Sequence, residues 1–439
     1  MANRRKIFPS QNEKTEKQSK QNDTMTATAT SDMPVFSSDT EIDPAWIQQK
    51  MPQFKDVIKC TIEDISNEGR KAEKPKDGAT LKLNLTFADP ANNKTLIIKQ
   101  VSESGKPLSQ QLGLAREALF FNQLASKVKF NRKGDDDTEC IPKVYYSWGD
   151  MASGSKIVVM EDLSNDYLDS GILFGPGNPN NWKRDLPAKI AEAYPSPAKA
   201  PSSAEVANET FLAIAQVHAT FWKSKDLLKD EYSWLRGANW VNGNDEASWK
   251  ASQGLIQGMW ASIADTIDDK ITWDPLVKSI LTKAMDGISW EAQLERLNAN
   301  GANYTLAHGD FWPGNVMISK KNVHDLKCLD WEMVGVGSGP QDLGQYVLSN
   351  MDPQERRDCE AEVIRNYHNE VVRLGVDLSW EECWKEYTIG GLERWLWFLV
   401  YFCGQSGPLL SWAQFFHDQV KEFVHDHGIK PEDVTQPRP

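Results

Sequence analysis

The sequence predicts an α+β protein of two lobes, a small strand-rich N-terminal lobe and a larger, mainly helical C-terminal lobe. Three observations predict it. At 439 residues the chain is long for one core and suits two lobes or domains. Period-two alternation is concentrated before residue 162 and helical periodicity after it. Between the two regimes runs Met160-Glu161-Asp162-Leu163, a short connector. The expected organisation is a disordered tail over 1–40, an N-lobe over 41–162 and a C-lobe over 163–439. Residues 170–203, rich in Gly, Pro and Asn, read as a loop or lid insertion.

Composition narrows the function classes. Sixty-two acidic against 49 basic side chains give a net charge of −13, which argues against nucleic acid or an anionic membrane as partner. Six cysteines show no C-x-x-C pairing and no zinc-ligand spacing, as expected of reduced thiols in a cytoplasmic protein. No stretch reaches the ~18 apolar residues of a membrane span. The nearest, Trp395 to Cys403, is bounded by charge and reads as a buried helix. The polar tail lacks an apolar signal region; organelle targeting is the other reading of its basic start.

In chain order, Asp43 is placed to cap a helix beginning at Pro44. A charged loop follows between Thr61 and Ala79. Leu81, Leu83, Leu85 and Phe87 then alternate with polar residues as a half-buried strand, and Thr95 to Val101 return as its partner. Lys99 shares a strand face with Ile97 and Val101, so it needs a counter-charge or a ligand anion. Eighteen residues on, Glu117 lies on the apolar stripe Leu114, Ala118, Phe121 and Leu124 of a helix. A pair with Lys99 and an edge carboxylate both fit that periodicity. Ser202 or Ser203 caps a helix through Trp222, on which His218 reads as a core histidine. Further helices are expected over 353–374, 380–387, 390–402 and 409–424.

The richest stretch is 304–332. A strand-like run leads into His308-Gly309-Asp310-Phe311-Trp312-Pro313-Gly314-Asn315. Val316 to Ser319 and Leu326 to Leu329 then flank a polar turn, and the second run ends on Asp330-Trp331-Glu332. Pairing the two runs as a hairpin brings Asp310, Asn315 and Asp330 into one small volume. Two carboxylates and an amide oxygen are the groups that hold Mg²⁺ on a nucleotide and orient an attacking hydroxyl.

These residues, with Arg116-Glu117, Met160 to Leu163, Val217-His218-Ala219-Thr220-Phe221-Trp222 and Gly339-Pro340-Gln341-Asp342-Leu343, carry a family likeness. Over residues 45–425 the chain resembles the aminoglycoside phosphotransferase/choline kinase-like superfamily, most closely its ecdysteroid-kinase-like branch. The resemblance implies a bilobal protein-kinase-like fold that uses ATP and Mg²⁺ to phosphorylate a small-molecule alcohol. It implies Asp310 as catalytic base, Asn315 and Asp330 as Mg²⁺ ligands, and Lys99 as the phosphate lysine with Glu117 as its partner. Glu161, Asp162 and Leu163 would meet adenine through the backbone. His308 is expected to shape the loop. Asp342 is expected to anchor the catalytic loop or to contact substrate.

Two features depart from the family pattern. The phosphate loop is poorly matched: it carries only Gly69 and Gly78, interspersed with Arg70, Lys71, Lys74 and Lys76. Glu332 stands where many relatives have glutamine, and serves a second metal, a cationic acceptor or merely the surface. Gly309 and Trp331-Glu332 in place of H-R-D and D-F-G, with no obvious A-P-E downstream, argue against a protein kinase. A catalytically silent pseudokinase acting as an interaction module is the alternative, opposed by the intact Lys99, Glu117, Asp310, Asn315 and Asp330. The acceptor stays open between a steroid-like alcohol and an amino alcohol. Trp380, Trp384, Trp395, Trp397 and Trp412 form either an aromatic wall for it or simply core.

Overall fold

In a computed structural model of the chain, the structure describes residues 36–37, 42–66, 78–130, 139–194, 196, 199–299 and 303–438. The expected tail lies almost wholly outside these residues, as do Gly69, Arg70, Lys71, Lys74 and Lys76 of the charged loop.

Five antiparallel strands form the N-terminal sheet: β1 (Val57–Asp64), β2 (Gly78–Phe87), β3 (Lys94–Val101), β4 (Val144–Asp150) and β5 (Ser155–Glu161), in the order β1-β2-β3-β5-β4. Strand β1 was not expected. Thr61 to Asp64 belong to it rather than to the charged loop, and Gly78 and Ala79 belong to β2. Alternation sorts the side chains onto two faces. Leu96, Ile98 and Gln100 of β3 are buried. Gln100 accepts the Phe36 N–H at 3.1 Å, and Phe36 packs edge-on to Trp46 of the helix Pro44–Lys50. Asp43 caps that helix as expected, accepting from Ala45 N at 2.8 Å. Ile97 faces the other way, toward the helix Arg116–Gln123, where Ala118 and Phe121 pack on Val158 and Met160. Lys99 lies on that second face, between Thr80 and Val158 in register.

The helix carrying Glu117 begins at Arg116, later than the sequence suggests. A separate helix, Lys106–Leu112, ends on Gly113 at φ +73°, a left-handed conformation that glycine adopts without strain and that breaks the run. Leu114 therefore falls in a turn, and Phe120 and Leu124 are buried beside Glu117 and Ala118.

After β5 the connector leads into β6 (Tyr167–Asp169), which pairs with β8 (Val316–Ser319) and so with β9 (Leu326–Cys328). The strands β7 (Thr305–Ala307) and β10 (Gly335–Gly337) pair on their own. The 170–203 insertion is not all loop. It holds the helix Leu186–Ala193, capped by Asp185, while Trp182 is 49% exposed.

Helices build the rest. Ser203–Thr220 opens with a capping box between Ser202 and Glu205, and packs against Pro353–Arg373. Gly339–Asn350 crosses Gly391–Cys403 at Gly344 and Gly391. A Cβ on Gly344 would lie 2.6 Å from the Gly391 Cα and 2.3 Å from the Tyr387 carbonyl, so only glycine permits this crossing. The fold is α+β, with the five-stranded sheet before residue 162 and helices predominating after it, as the sequence leads one to expect.

Candidate active site

The hairpin forms in the expected register, with Val316 opposite Cys328 and Ile318 opposite Leu326. Leu329 N donates to the Asn315 carbonyl at 2.7 Å, so Asp330 emerges beside Asn315. Asn315 Nδ2 donates to the Asp310 carbonyl at 2.8 Å and to its Oδ2 at 3.1 Å. Both amide protons therefore point at Asp310, which turns the amide oxygen Oδ1 away, without a partner among the described residues. Asp330 has φ +64°, strained for a residue with a Cβ, and its Oδ1 takes a 3.1 Å contact from Lys99 Nζ.

The loop before Asp310 is held from beneath. Fully buried Asp342 accepts the His308 N–H at 2.6 Å and the Gly309 N–H at 3.2 Å, which is the anchoring role. His308 Nε2 donates to Leu329 O at 2.8 Å, leaving Nδ1 to accept from Asp310 N at 3.3 Å; its role is loop-shaping. Gly309 is required at φ +79°, because a Cβ there would strike Met333 O at 2.3 Å. Arg394 Nη2 donates to Gly309 O at 2.8 Å. His218 is fully buried, with Nδ1 2.9 Å from the Tyr367 hydroxyl, as a core histidine should be.

Lys99 Nζ lies 2.7 Å from Glu117 Oε1, so the pair exists. It is not a simple pair. Lys156 of β5, not among the residues the sequence singles out, places its Nζ 2.7 Å from Glu117 Oε2 and also bonds Glu332. Glu332 lies 3.9 Å from Lys99 as well. It is therefore neither a free surface carboxylate nor an open ligand but the counter-ion of a buried lysine. Burial pushes the Glu117 carboxyl up, but Lys156 and Lys99 outweigh it and hold the group below its ordinary value. Burial likewise opposes charge on Lys99, yet Asp330, Glu117 and Glu332 raise it well above normal. Asp310 behaves oppositely: burial and then the neighbouring Asp330 push its carboxyl up, in the sense that suits a base.

Glu117, Asp330 and Glu332 each offer an oxygen within 4.8 Å of the others. Three carboxylates against two ammonium groups leave little charge there for a dication. Asp330 is the most open of the three, 36% exposed at its side chain, and stands beside the unused Asn315 oxygen. A hard cation with oxygen ligands fits Asp330 and Asn315 better than the lysine-neutralised trio.

The connector residues are not brought to this cluster. Glu161 Oε1 accepts from Lys143 N at 2.8 Å, Asp162 Oδ1 from Ser164 N at 3.0 Å, and the Leu163 carbonyl from Tyr167 N at 2.9 Å. These contacts shape the connector. The C-lobe tryptophans pack on one another and on their neighbours: Trp380 on Trp384 at 5.3 Å, Trp395 on Phe416 at 5.0 Å, Trp397 on Tyr401 at 6.1 Å. Trp395 is buried in the core, and Trp380, Trp384, Trp397 and Trp412 pack half-buried against it, with Trp380 and Trp384 also lining an open surface cavity.

Residues 197–379 match the model of the ecdysteroid kinase-like family. The stretch contains Asp310, Asn315, Asp330, Glu332 and Asp342, while Lys99, Glu117 and Lys156 precede it. No curated protein matches. Among solved structures, the chain is similar to choline kinase from Cryptosporidium parvum Iowa II, with 10% identity, 89% of this chain and 97% of that one covered, and a TM-score of 0.49. A candidate aminoglycoside phosphotransferase from Ralstonia eutropha JMP134 follows at 15% identity, 86% and 97% coverage, and 0.45. The Plasmodium vivax ethanolamine kinase stands at 9%, 84% and 82%, and 0.38. None reaches a TM-score of 0.5, and none decides a role for any residue of this chain.

Proposed function

We propose that this protein is an ATP-dependent small-molecule kinase that transfers the γ-phosphoryl group to a hydroxyl of a small organic acceptor. One observation carries the reading: Asp310, Asn315 and Asp330 meet in one place, and Lys99, held by Glu117, reaches the same Asp330. Phosphoryl transfer needs little covalent help from protein, so positioning and charge do the work. Asp310, its carboxyl raised by burial and by Asp330, accepts or orients the proton of the attacking hydroxyl. Asn315 fixes that carboxylate at 3.1 Å. Lys99 is shared with Asp330 and turns to the nucleotide phosphates. Magnesium held by Asp330 and the Asn315 amide oxygen would supply charge neutralisation to the phosphates. The connector 161–163 offers backbone to adenine.

The family likeness favours a steroid-like alcohol as acceptor. Glu332 no longer favours an amino alcohol, since its charge is spent on Lys156. Six unpaired cysteines, five of them buried, support a cytoplasmic setting; no helix among the described residues is long and apolar enough to cross a membrane. The test is ADP release from Mg-ATP, above the background rate, across a panel of alcohols. Asp310→Asn should abolish turnover and leave Mg-ATP binding nearly intact; comparable turnover in that variant would sink the assignment.

A further inference from the structure

Arg236 lies just before the short helix Ala238–Val241, beside the segment that follows Asp330. Its N–H approaches Val334 O at 3.4 Å, its carbonyl accepts from Val336 N at 2.7 Å, and it bridges to Gly335. Gly335 in turn pairs with Ala307, the last residue of β7 before His308-Gly309-Asp310. The lack of a side chain at Gly335 makes this close approach possible. A Cβ there would stand 2.4 Å from the Arg236 carbonyl and 2.8 Å from its Cβ. Arg236 is thus built onto the same rung from which the catalytic loop departs.

Its guanidinium interacts electrostatically with Arg394, Arg116 and Asp310. The other two arginines are occupied. Arg116 donates to the carbonyls of Trp234 at 2.8 Å and Leu112 at 2.6 Å. Arg394 donates to those of Gly309 at 2.8 Å and Arg438 at 3.3 Å. Arg236 is half-buried, yet its side chain makes no hydrogen bond or ion pair among the described residues. Burial, then Arg394 and Arg116, pull its pKa well below the ordinary value, opposed only by Asp310. A guanidinium does not surrender its proton in a protein. Its unmet demand therefore appears as affinity for an anion, and the planar fork suits two oxygens at once.

We propose that Arg236 binds an oxyanion beside Asp310: either the γ-phosphoryl group in transfer or an acid group, carboxylate or phosphate, on the acceptor. The assignment rests on the phosphotransferase reading above and extends it to the substrate. A cation of the amino-alcohol kind would meet the guanidinium groups of Arg236 and Arg394 beside Asp310 and be repelled. An acceptor bearing an acid, or a neutral alcohol whose incoming phosphoryl group Arg236 clasps, is what the charges favour.

The experiment is calorimetric titration of the full chain, Arg236→Ala and Arg236→Lys with three probes: Mg-ADP, Mg-ADP with aluminium fluoride, and inorganic phosphate alone. Arg236→Ala should bind Mg-ADP like the parent and lose about tenfold or more, the worth of a charge-assisted bond, on one of the oxyanion probes. A loss confined to the aluminium fluoride complex assigns the arginine to the transferred group. A loss on phosphate without nucleotide assigns it to an acid on the acceptor. Arg236→Lys, keeping the charge and losing the fork, should fall between, and it carries the comparison with the parent if the alanine variant does not fold. Equal affinity of parent and variants for both oxyanion probes overturns the proposal, as does failure of the parent to bind either. Should the parent bind phosphate but no Mg-ADP, the kinase reading falls while the phosphate arm still decides on Arg236.

Discussion

Lys156→Met asks most directly what the lysine-carboxylate cluster is worth. Lys156 is 2% exposed at its side chain and Glu117 not exposed at all, so this ion pair has no water to fall back on. Methionine keeps most of the volume, which limits the packing cost. What remains are three carboxylates within 4.8 Å of one another and a single ammonium group, Lys99, already shared between Glu117 and Asp330. Removing one partner of a buried pair costs about 3–5 kcal/mol, and about 3 is the expectation here because Lys99 still serves Glu117. The cost should depend on pH. The Glu332 carboxyl is already raised, first by burial and then by Asp330, and losing Lys156 raises it further. A folded-state carboxyl above its unfolded value binds more protons than the unfolded chain does, so stability falls as pH rises through the gap and returns as pH falls. Urea unfolding at pH 8 should therefore show the full loss, and unfolding near pH 5 a smaller one. The double variant Lys156→Met/Glu332→Gln removes the orphaned acid along with the cation, and should recover ~1–2 kcal/mol relative to the single variant. A single variant within ~1 kcal/mol of the parent at pH 8, or a double variant that is merely additive, would refute Lys156 as the counter-charge.

Lys99→Ala should raise the KM for ATP or lower turnover by about tenfold or more, a charge-assisted contact being lost; unchanged ATP kinetics would break its phosphate role. Asp330→Asn should remove the thermal stabilisation that Mg-ADP gives over ADP alone, and a retained magnesium effect would move the metal elsewhere. Glu386 carries a pH dependence of the opposite sign to Glu332. Although burial opposes its charge, Arg438 Nη1 at 2.7 Å holds its carboxyl at about 2 against an ordinary 4.5. That gap contributes roughly 3 kcal/mol, present above pH 4.5 and lost as pH falls toward 2; Glu386→Gln should flatten this limb in acid titrations followed by circular dichroism. Gly344→Ala places a methyl group 2.6 Å from the Gly391 Cα and should cost ~1–3 kcal/mol in urea unfolding, with no loss meaning that the helices separate freely.

Much of this site could be read from the chain because the signals were local. The 304–332 hairpin showed as two alternating runs around a polar turn, and one correct pairing was enough to join Asn315 to Asp330. Lys99 showed as a charge on an apolar strand face. Lys156 meets the same criterion, sharing a face with Val158 and Met160. Its role is not legible locally, because a second inward lysine needs a second carboxylate and Glu332 lies 176 residues away. Hydrophobic periodicity runs through Gly113 unbroken and so predicts too early a start for the Glu117 helix, whereas the left-handed backbone of Gly113 breaks the run. Arg236 left no local trace at all, since its position follows from pairing with a glycine far along the chain.

The same contrast explains why Asp330 can hold a strained backbone. A left-handed aspartate costs about 1–3 kcal/mol and persists only where its surroundings over-determine it. Trp331, next in the chain, is fully buried, stacks on Phe120 at 4.3 Å, packs on His308 at 4.6 Å and donates to Cys328 O at 2.9 Å. Burying an indole of that size outweighs the strain several-fold at about 25 cal/mol per Å². Because Phe120 belongs to the helix of Glu117, and His308 to the loop of Asp310, one side chain sets Asp330 against both. The tryptophan in D-W-E thus fixes by packing the geometry that the carboxylates and lysines then use.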